Sequence, residues 1–238
     1  MKLKRDYLFL LSLFMCVLFA NVMKVNAMNT GFETDHLPAE VKNRFISNSN
    51  ILLIEDEPAK KAIKCFDVNS DNLIAIGQNT RDRKTICIYS SNGVFQYGYT
   101  FDCSGDFGVE WDGENLNIYY VRSDVIVSVT PSGEIVGVCE VQNTIENNSY
   151  VNRFIHASQR TVGDTEYFIG NNMGILNLFA SSYSWIIIKD ITGAERVIYD
   201  VSSIQLANMI ATIVVVCMVV AVAVVVIARE FIKLKRRA

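Results

Sequence analysis

Apolar and polar residues alternate along much of the chain between about residues 61 and 201, and short runs of turn-forming residues interrupt the alternation. The stretches YSSNGVFQYGYTF (89–101) and VTPSGEIVGVCEV (129–141) share one pattern: a strand-like lead, a polar pair that ends in Gly, and a second alternating run. Alternation is typical of half-buried β-strands, and Asn-Gly between two such runs favours a type I′ hairpin turn. The pattern therefore predicts two similar hairpins.

Two further alternating segments precede each hairpin and extend the pattern to a unit of four strands. FDVNSDNLIAIG (66–77) in the first unit matches VEWDGENLNIYY (109–120) in the second. A third unit has the weaker segments TEYFIGNN, ILNLFASS, SWIIIKDITG and AERVIYDV, with Thr192 and Gly193 at the hairpin turn. We therefore predict three four-stranded antiparallel meanders.

These units set the predicted domain organisation. The meanders span about 61–102, 103–142 and 164–201. Together they form an ectodomain of residues 61–205, and its insertion at 143–163 shows little regular pattern, which predicts a long loop. The N-terminal segment, 28–60, contains one predicted strand in NILLIEDE (50–57).

Four-stranded meanders that recur every forty to forty-five residues are typical of β-propeller blades. The WDGENL stretch and the hairpins ending in Ser-Gly or Asn-Gly resemble the NHL-like blades of bacterial β-propeller-type repeat proteins, over roughly residues 61–201. The resemblance implies a mainly β fold with about three propeller-like blades.

A closed propeller takes four to eight blades, so three units leave its ring incomplete. Two copies could close a six-bladed ring as a homodimer, which a substitution such as Ile198→Asp on the last unit should then dissociate. Alternatively, the insertion and the N-terminal segment could cap a stack of three sheets, or the chain could be a shortened form of a longer propeller.

The first 27 residues have the three parts of a signal peptide. Lys2, Lys4 and Arg5 form a basic start, residues 7–22 are apolar, and Val25-Asn26-Ala27 supplies small residues for cleavage. We predict an N-terminal signal helix over 1–27 that is cleaved after Ala27; an uncleaved anchor is the alternative.

The other end of the chain predicts a transmembrane helix. Residues 209–228 carry no charge, and twenty helical residues span about 30 Å, the thickness of the hydrocarbon core. The basic tail that follows, 229–238, favours a cytoplasmic C-terminus by the positive-inside rule. We predict one C-terminal transmembrane helix, 206–228, in a single-pass cell-membrane protein with residues 28–205 outside.

Charge is unevenly divided along the chain. Of 22 Lys and Arg residues and 25 Asp and Glu residues, 13 basic and 23 acidic ones fall in residues 28–205, a net charge of about −10. An acidic exterior disfavours nucleic acid as a partner. The membrane is therefore the one partner that the sequence indicates directly.

Oxygen-bearing side chains alternate at two equivalent turns. The candidates for a cation site are Asp67, Asn69, Asp71, Glu110, Asp112 and Glu114. Calcium needs six to eight oxygen ligands, and the first loop lacks the Gly and Glu that an EF-hand requires at positions six and twelve. Hairpin turns use the same residue types, so we predict turns, with no metal and no cofactor.

Catalytic motifs do not emerge from the sequence. Asp112 and Glu114 could form an acid–base pair, but carboxylates two residues apart are common by chance. Five aromatic residues could bind sugars, although packing between sheets is the favoured interpretation. They are Tyr97, Tyr99, Trp111, Tyr119 and Tyr120.

Four cysteines fall in the predicted exterior: Cys65, Cys87, Cys103 and Cys139. They would allow two disulfides in three pairings, or could pack as free thiols inside strands.

The sequence thus predicts a membrane-anchored extracytoplasmic domain, not an enzyme, that binds or scaffolds a protein or glycan, with the 143–163 insertion as the expected partner surface. A carbohydrate- or peptide-processing enzyme and a structural homo-oligomer are the alternatives.

Overall fold

The computed structural model describes residues 28–80 and 83–237, so the predicted signal peptide at 1–27 lies outside it. Within this range the strands form three antiparallel sheets, and an apolar helix follows the last strand. The prediction of a mainly β chain with three antiparallel sheets and a C-terminal apolar helix is confirmed. The sheets have five, five and four strands, because two short N-terminal strands join the first two meanders.

Sheet I is a meander with one added edge strand. Its strands are β3 (Ile63–Val68), β4 (Ile74–Asn79), β5 (Lys84–Tyr89) and β6 (Phe95–Phe101), with β2 (Leu52–Ile54) paired to β6. Both faces of β4 and β5 are buried. This explains why their sequences are nearly continuous apolar runs and not strict alternations. The strand predicted in 50–57 is confirmed as β2.

Sheet II repeats this strand order. Its strands are β7 (Phe107–Asp112), β8 (Asn115–Tyr120), β9 (Val125–Val129) and β10 (Ile135–Val141), with β1 (Thr34–His36) paired to β10. The N-terminal segment therefore supplies an outer strand to each of the first two sheets.

Sheet III begins earlier than the sequence pattern suggests. Its strands are β11 (Gln159–Val162), β12 (Thr165–Gly170), β13 (Trp185–Lys189) and β14 (Glu195–Asp200). The first strand thus lies inside the predicted insertion. The strand predicted at ILNLFASS is wrong: Gly174–Phe179 is a 3-10 helix, and Asn177 Oδ1 accepts a hydrogen bond from the Met173 N–H (2.9 Å), which holds the chain in a tight turn.

The part of the chain that the structure describes has three α-helices: α1 (Ala39–Ser49), α2 (Ile145–Tyr150) and α3 (Ser202–Arg237). A π-helical turn, Val151–Ile155, continues α2. The prediction of a long irregular loop at 143–163 is therefore wrong, because Thr144 caps a helix there by accepting a hydrogen bond from the Asn147 N–H (3.1 Å).

The three sheets stack with sheet I in the middle. One face of sheet I packs on sheet II through Cys65, Ile86, Phe101, Phe107 and Leu116, among others. The other face packs on sheet III through residues that include Phe66, Ile76, Tyr89, Tyr167 and Tyr199. Burial on both faces makes sheet I the centre of the core.

The outer face of sheet II is covered by the N-terminal segment and the insertion. Phe32 and Ile155 pack there against Tyr119, Ile126 and Val141. The position of Ile155 depends on Gly108 in β7, because a Cβ at residue 108 would overlap the Ile155 side chain. This end of the stack is capped as the second sequence alternative describes.

The last hairpin of each sheet turns through the same geometry. In all three turns the Gly N–H donates a hydrogen bond (2.9 Å) to the carbonyl oxygen of the residue three positions earlier. The pairs are Gly93 to Ser90, Gly133 to Thr130 and Gly193 to Asp190. Only the Gly has a positive φ, 77° to 85°. The predicted type I′ turn is therefore wrong: the loop has three residues, and a Gly following a type I turn satisfies the strand twist.

Candidate functional site

The first strands of the three meanders meet at one polar cleft. Strand β3 lies beside both β7 and β11, so the inner edges of all three sheets converge. The cleft between them has a volume of about 370 Å³. Its walls include Asp67 and Ser70 from sheet I, Trp111 from sheet II, Thr161 from sheet III and Phe154 from the insertion.

A buried ion pair crosses this junction. Arg160 Nε donates to Asp67 Oδ1 at 2.7 Å, and each side chain is only 8% exposed. The other oxygen, Asp67 Oδ2, accepts a hydrogen bond from the backbone N–H of Trp111 (2.8 Å). One carboxylate therefore connects β3 of sheet I to β11 of sheet III and β7 of sheet II.

The guanidinium of Arg160 is held on several sides. Its Nη2 donates to the carbonyl oxygens of Phe154 (2.6 Å) and Phe66 (3.3 Å), and its Nη1 donates to that of Gln159 (3.0 Å). The rings of Phe154 and Phe66 lie 4.8 and 5.3 Å from its central carbon. Such bonds offset the desolvation that makes buried ion pairs costly.

Glu110 makes a second buried polar centre on the same strand as Trp111. Its Oε1 accepts hydrogen bonds from Tyr150 Oη (2.6 Å) and the Gly31 N–H (3.0 Å), and its Oε2 accepts one from Thr30 Oγ1 (2.6 Å). Burial, followed by the bond to Glu110, raises the pKa of Tyr150, so the phenol stays a donor. Glu110 thereby ties the N-terminal segment and the insertion to sheet II.

The remaining sequence candidates for a cation site are separate turn residues. Asn69 Oδ1 accepts hydrogen bonds from the backbone N–H groups of Asp71 (3.0 Å) and Leu73 (2.8 Å), which closes the β3–β4 turn. Asp71 and Glu114 are exposed, and Asp112 Oδ2 accepts a bond from the Asn29 N–H (2.8 Å). In residues 28–80 and 83–237, no group of three or more His, Cys, Asp or Glu side chains is placed to hold a metal.

The aromatic candidates pack mainly inside the stack. Tyr99, Tyr119 and Tyr120 are buried, and Tyr97 stands edge-on to Tyr99 with ring centres 5.7 Å apart. Trp111 is half-buried at the cleft, where its indole N–H has no hydrogen-bond partner among the described residues. Of the five, Trp111 alone contributes to the cleft wall.

Cys65, Cys87, Cys103 and Cys139 are free thiols in the described chain. Cys65 belongs to the core between sheets I and II, Cys87 to the core between sheets I and III, and Cys139 packs at the capped outer face of sheet II. Cys103 is half-buried beside the first core. Burial raises the pKa of both the Cys65 and Cys87 thiols to about 12, so they remain protonated at neutral pH.

Sequence patterns identify Asp67 and Glu110 but miss their partners. Arg160, Tyr150 and Thr30 lie in segments without clear alternation, and each is at least forty residues from the carboxylate it contacts. From the sequence QRTV alone, Arg160 would be interpreted as an exposed residue, because no local feature indicates an ion-pair partner 93 positions away.

Comparison of the chain with protein-family models, with curated proteins and with solved structures finds no match. Its function is therefore inferred from geometry.

Proposed function

We propose that the chain is a single-pass membrane protein whose three sheets form an open arc of propeller-like blades outside the membrane and bind a protein or glycan as a rigid scaffold. The observation that carries this proposal is the junction at Asp67. Its carboxylate accepts one hydrogen bond from Arg160 in sheet III and one from Trp111 in sheet II. These buried polar contacts therefore connect the three sheets of the scaffold.

The arrangement of strands supports propeller-like blades. Each sheet contains a four-stranded meander, and the three first strands converge as inner strands do around a propeller axis. Two outer edges are extended by β1 and β2. The capped face of sheet II supports an arc that ends there and does not continue into a ring.

The carboxylates support a scaffold over an enzyme. The oxygens of Asp67 and Glu110 are engaged by protein donors, while Asp112 and Glu114 lie on a turn where Glu114 is exposed. A general acid or base must lie within hydrogen-bond distance of the substrate group whose proton it transfers. We therefore propose no catalytic role for these residues.

The membrane anchor rests on α3. It is long and apolar enough to cross a membrane, and an 18-residue window within Ser202–Val225 has a mean hydropathy of 2.8. The helix starts directly after β14, where Asp200 Oδ1 accepts a hydrogen bond from the Ser202 N–H (2.7 Å). The sheets are thus joined to the membrane helix without a linker.

A thiol-labelling experiment tests the proposed topology. In intact cells, a membrane-impermeant maleimide should label Ser132→Cys in the exposed sheet II turn above the wild-type background, and should label Lys233→Cys in the tail only after lysis. The reverse pattern would place the sheets in the cytoplasm and overturn the proposal.

The mouth of the cleft is the proposed partner surface, because Phe154 is exposed there beside Trp111. A photo-crosslinking amino acid at Phe154, in the full chain in its own cells, should give a discrete adduct. The same probe at the exposed Thr192 should not. Identical behaviour at both positions would contradict a partner site at the cleft.

A second candidate function, a homo-oligomer, is favoured by the outer face of sheet III. Phe168, Trp185 and Ile187 are half-buried there, and Val197 is 54% exposed. Ile198 instead packs toward sheet I, so Ile198→Asp would disturb the fold and not a dimer contact.

Val197→Asp is therefore the appropriate test for that candidate. The full chain in detergent should have the mass of a dimer by light scattering, and Val197→Asp should halve it. Val136→Asp, at an exposed Val in sheet II, is the matched control and should leave the mass unchanged. A monomeric wild-type chain rules this candidate out.

A further inference from the structure

The loop between β12 and β13 exposes apolar side chains that no strand or helix of residues 28–80 and 83–237 covers. Its 3-10 helix, Gly174–Phe179, presents Ile175 at 82% and Leu178 at 84% exposure. The sequence carries no charged residue between Glu166 and Lys189. An uncharged, apolar tip of this kind is unusual on a domain with a net charge of about −10.

Several polar groups of this loop are hydrogen-bonded within the loop. Asn177 Nδ2 donates to the Asn171 carbonyl (3.2 Å), and Asn171 Nδ2 donates to the Ser182 carbonyl (2.9 Å), which closes the base of the loop. The Met173 N–H donates a hydrogen bond to Asn177 Oδ1. Internal hydrogen bonds lower the cost of moving a backbone turn out of water.

The base of the loop is attached to the start of α3. Gln205 Nε2 donates to the Ser182 carbonyl (3.1 Å) and lies 3.2 Å from Ser182 Oγ. A groove of about 520 Å³ lies between the loop and the helix. Ala180–Ser182 line it on the loop side, and residues of α3 as far as Ile213 line it on the helix side.

This attachment fixes the height of the loop relative to a membrane. The predominantly apolar run of α3 begins at Met209, directly after Asn208, and its twenty residues (209–228) match the hydrocarbon core. Ile213 is four residues further, about 6 Å at 1.5 Å per residue. Ala180–Ser182, at the base of the loop, therefore stand beside the first turn of the span, so the loop begins at the level of the headgroup boundary.

We propose that the turn carrying Ile175 and Leu178 inserts into the outer boundary of the lipid bilayer that α3 crosses. Interfacial apolar segments bury roughly 5–10 Å into the region between headgroups and acyl chains. The sheets then contact lipid at two points, the loop and α3, and two contacts fix their orientation on the membrane. This inference rests on the membrane span proposed above.

Tryptophan quenching by lipid tests the insertion. The full chain is placed in phosphatidylcholine nanodiscs with or without bromine at a shallow acyl position, and emission beyond that of the two native tryptophans is measured for Ile175→Trp. The control is Ile191→Trp, because Ile191 is 77% exposed in the β13–β14 turn at the opposite end of that hairpin from α3.

Ile175→Trp should lose most of its added emission in brominated discs, whereas Ile191→Trp should lose none. Equal emission in both lipids at position 175 overturns the insertion. Val214→Trp, in α3, separates the two proposals: quenching at 214 without quenching at 175 removes the loop insertion alone. Absence of quenching at 214 removes the membrane span and the insertion together.

Discussion

The guanidinium of Arg160 is buried between three sheets and carries a charge that Asp67 compensates. Arg160→Ala leaves the Asp67 carboxylate buried without its cation, so the free energy of unfolding should fall by about 3–5 kcal/mol. The measurement is urea denaturation of the purified full chain.

Arg153→Ala is the matched control for that change. Arg153 belongs to the same insertion but is exposed, so its removal should alter stability by less than about 0.5 kcal/mol. A similar loss for both variants would show that the ion pair does not support the junction.

The thiols of Cys65 and Cys87 should make stability depend on alkaline pH. The folded chain raises both pKa values to about 12, whereas an unfolded thiol titrates near 9.0. Their contribution is therefore complete below pH 9 and is lost as the pH rises toward 12, at about 1.4 kcal/mol per pH unit for each thiol. Urea denaturation at several pH values above 9 should show this decline.

Cys87→Ala provides the comparison, because it removes one of the two thiols. Its free energy of unfolding should be lower at neutral pH, because part of a buried side chain is removed, but should then fall less steeply with pH than that of the wild type. Parallel curves for the two proteins would contradict the assignment.

At the scale of elements, local patterns predict the hairpins and fail at the joints between sheets. The turns at Gly93, Gly133 and Gly193 follow from residues within five positions of each other, and all three hairpins are present. Strand β11 is only four residues long, and its Arg160 bonds to Asp67 in another sheet, a contact that no local pattern indicates. The short helix α2 is missed for a similar reason: Asn147 holds it by donating to the Glu33 carbonyl, 114 residues away (2.9 Å).

The insertion and sheet II should show energetic coupling through Gly108 and Ile155. Gly108→Ala places a methyl group against Ile155 and should cost about 1–3 kcal/mol. Ile155→Ala removes a buried side chain and should cost about 2–5 kcal/mol. Denaturation of the single and double variants measures both losses.

In the double variant the smaller side chain leaves room for the added methyl group. Its loss should therefore be smaller than the sum of the two single losses, by about 0.5–3 kcal/mol. Strict additivity would mean that Ile155 does not rest on Gly108.

At the scale of the whole molecule, sheet I is buried on both faces and should make the stack unfold as one unit. The two tryptophans report on different sheets, Trp111 on sheet II and Trp185 on sheet III. Trp185→Phe and Trp111→Phe therefore give single-tryptophan chains that each report one end of the stack.

The two fluorescence transitions in urea should each coincide with that variant's own circular-dichroism transition, as expected for a cooperative fold. A Trp185 signal that changes before the bulk secondary structure would show that sheet III opens separately, and would contradict a single unit.

The placement of β1 also sets an order in time. Thr34 pairs with Val141, so β1 can pair only after β10, the last strand of sheet II in the sequence, has been made. At usual rates of synthesis that delay is roughly 5–20 s. During this interval the segment ahead of α1 has no strand to join and is open to proteases and chaperones. The earliest residues of the folded domain are thus among the last to be protected.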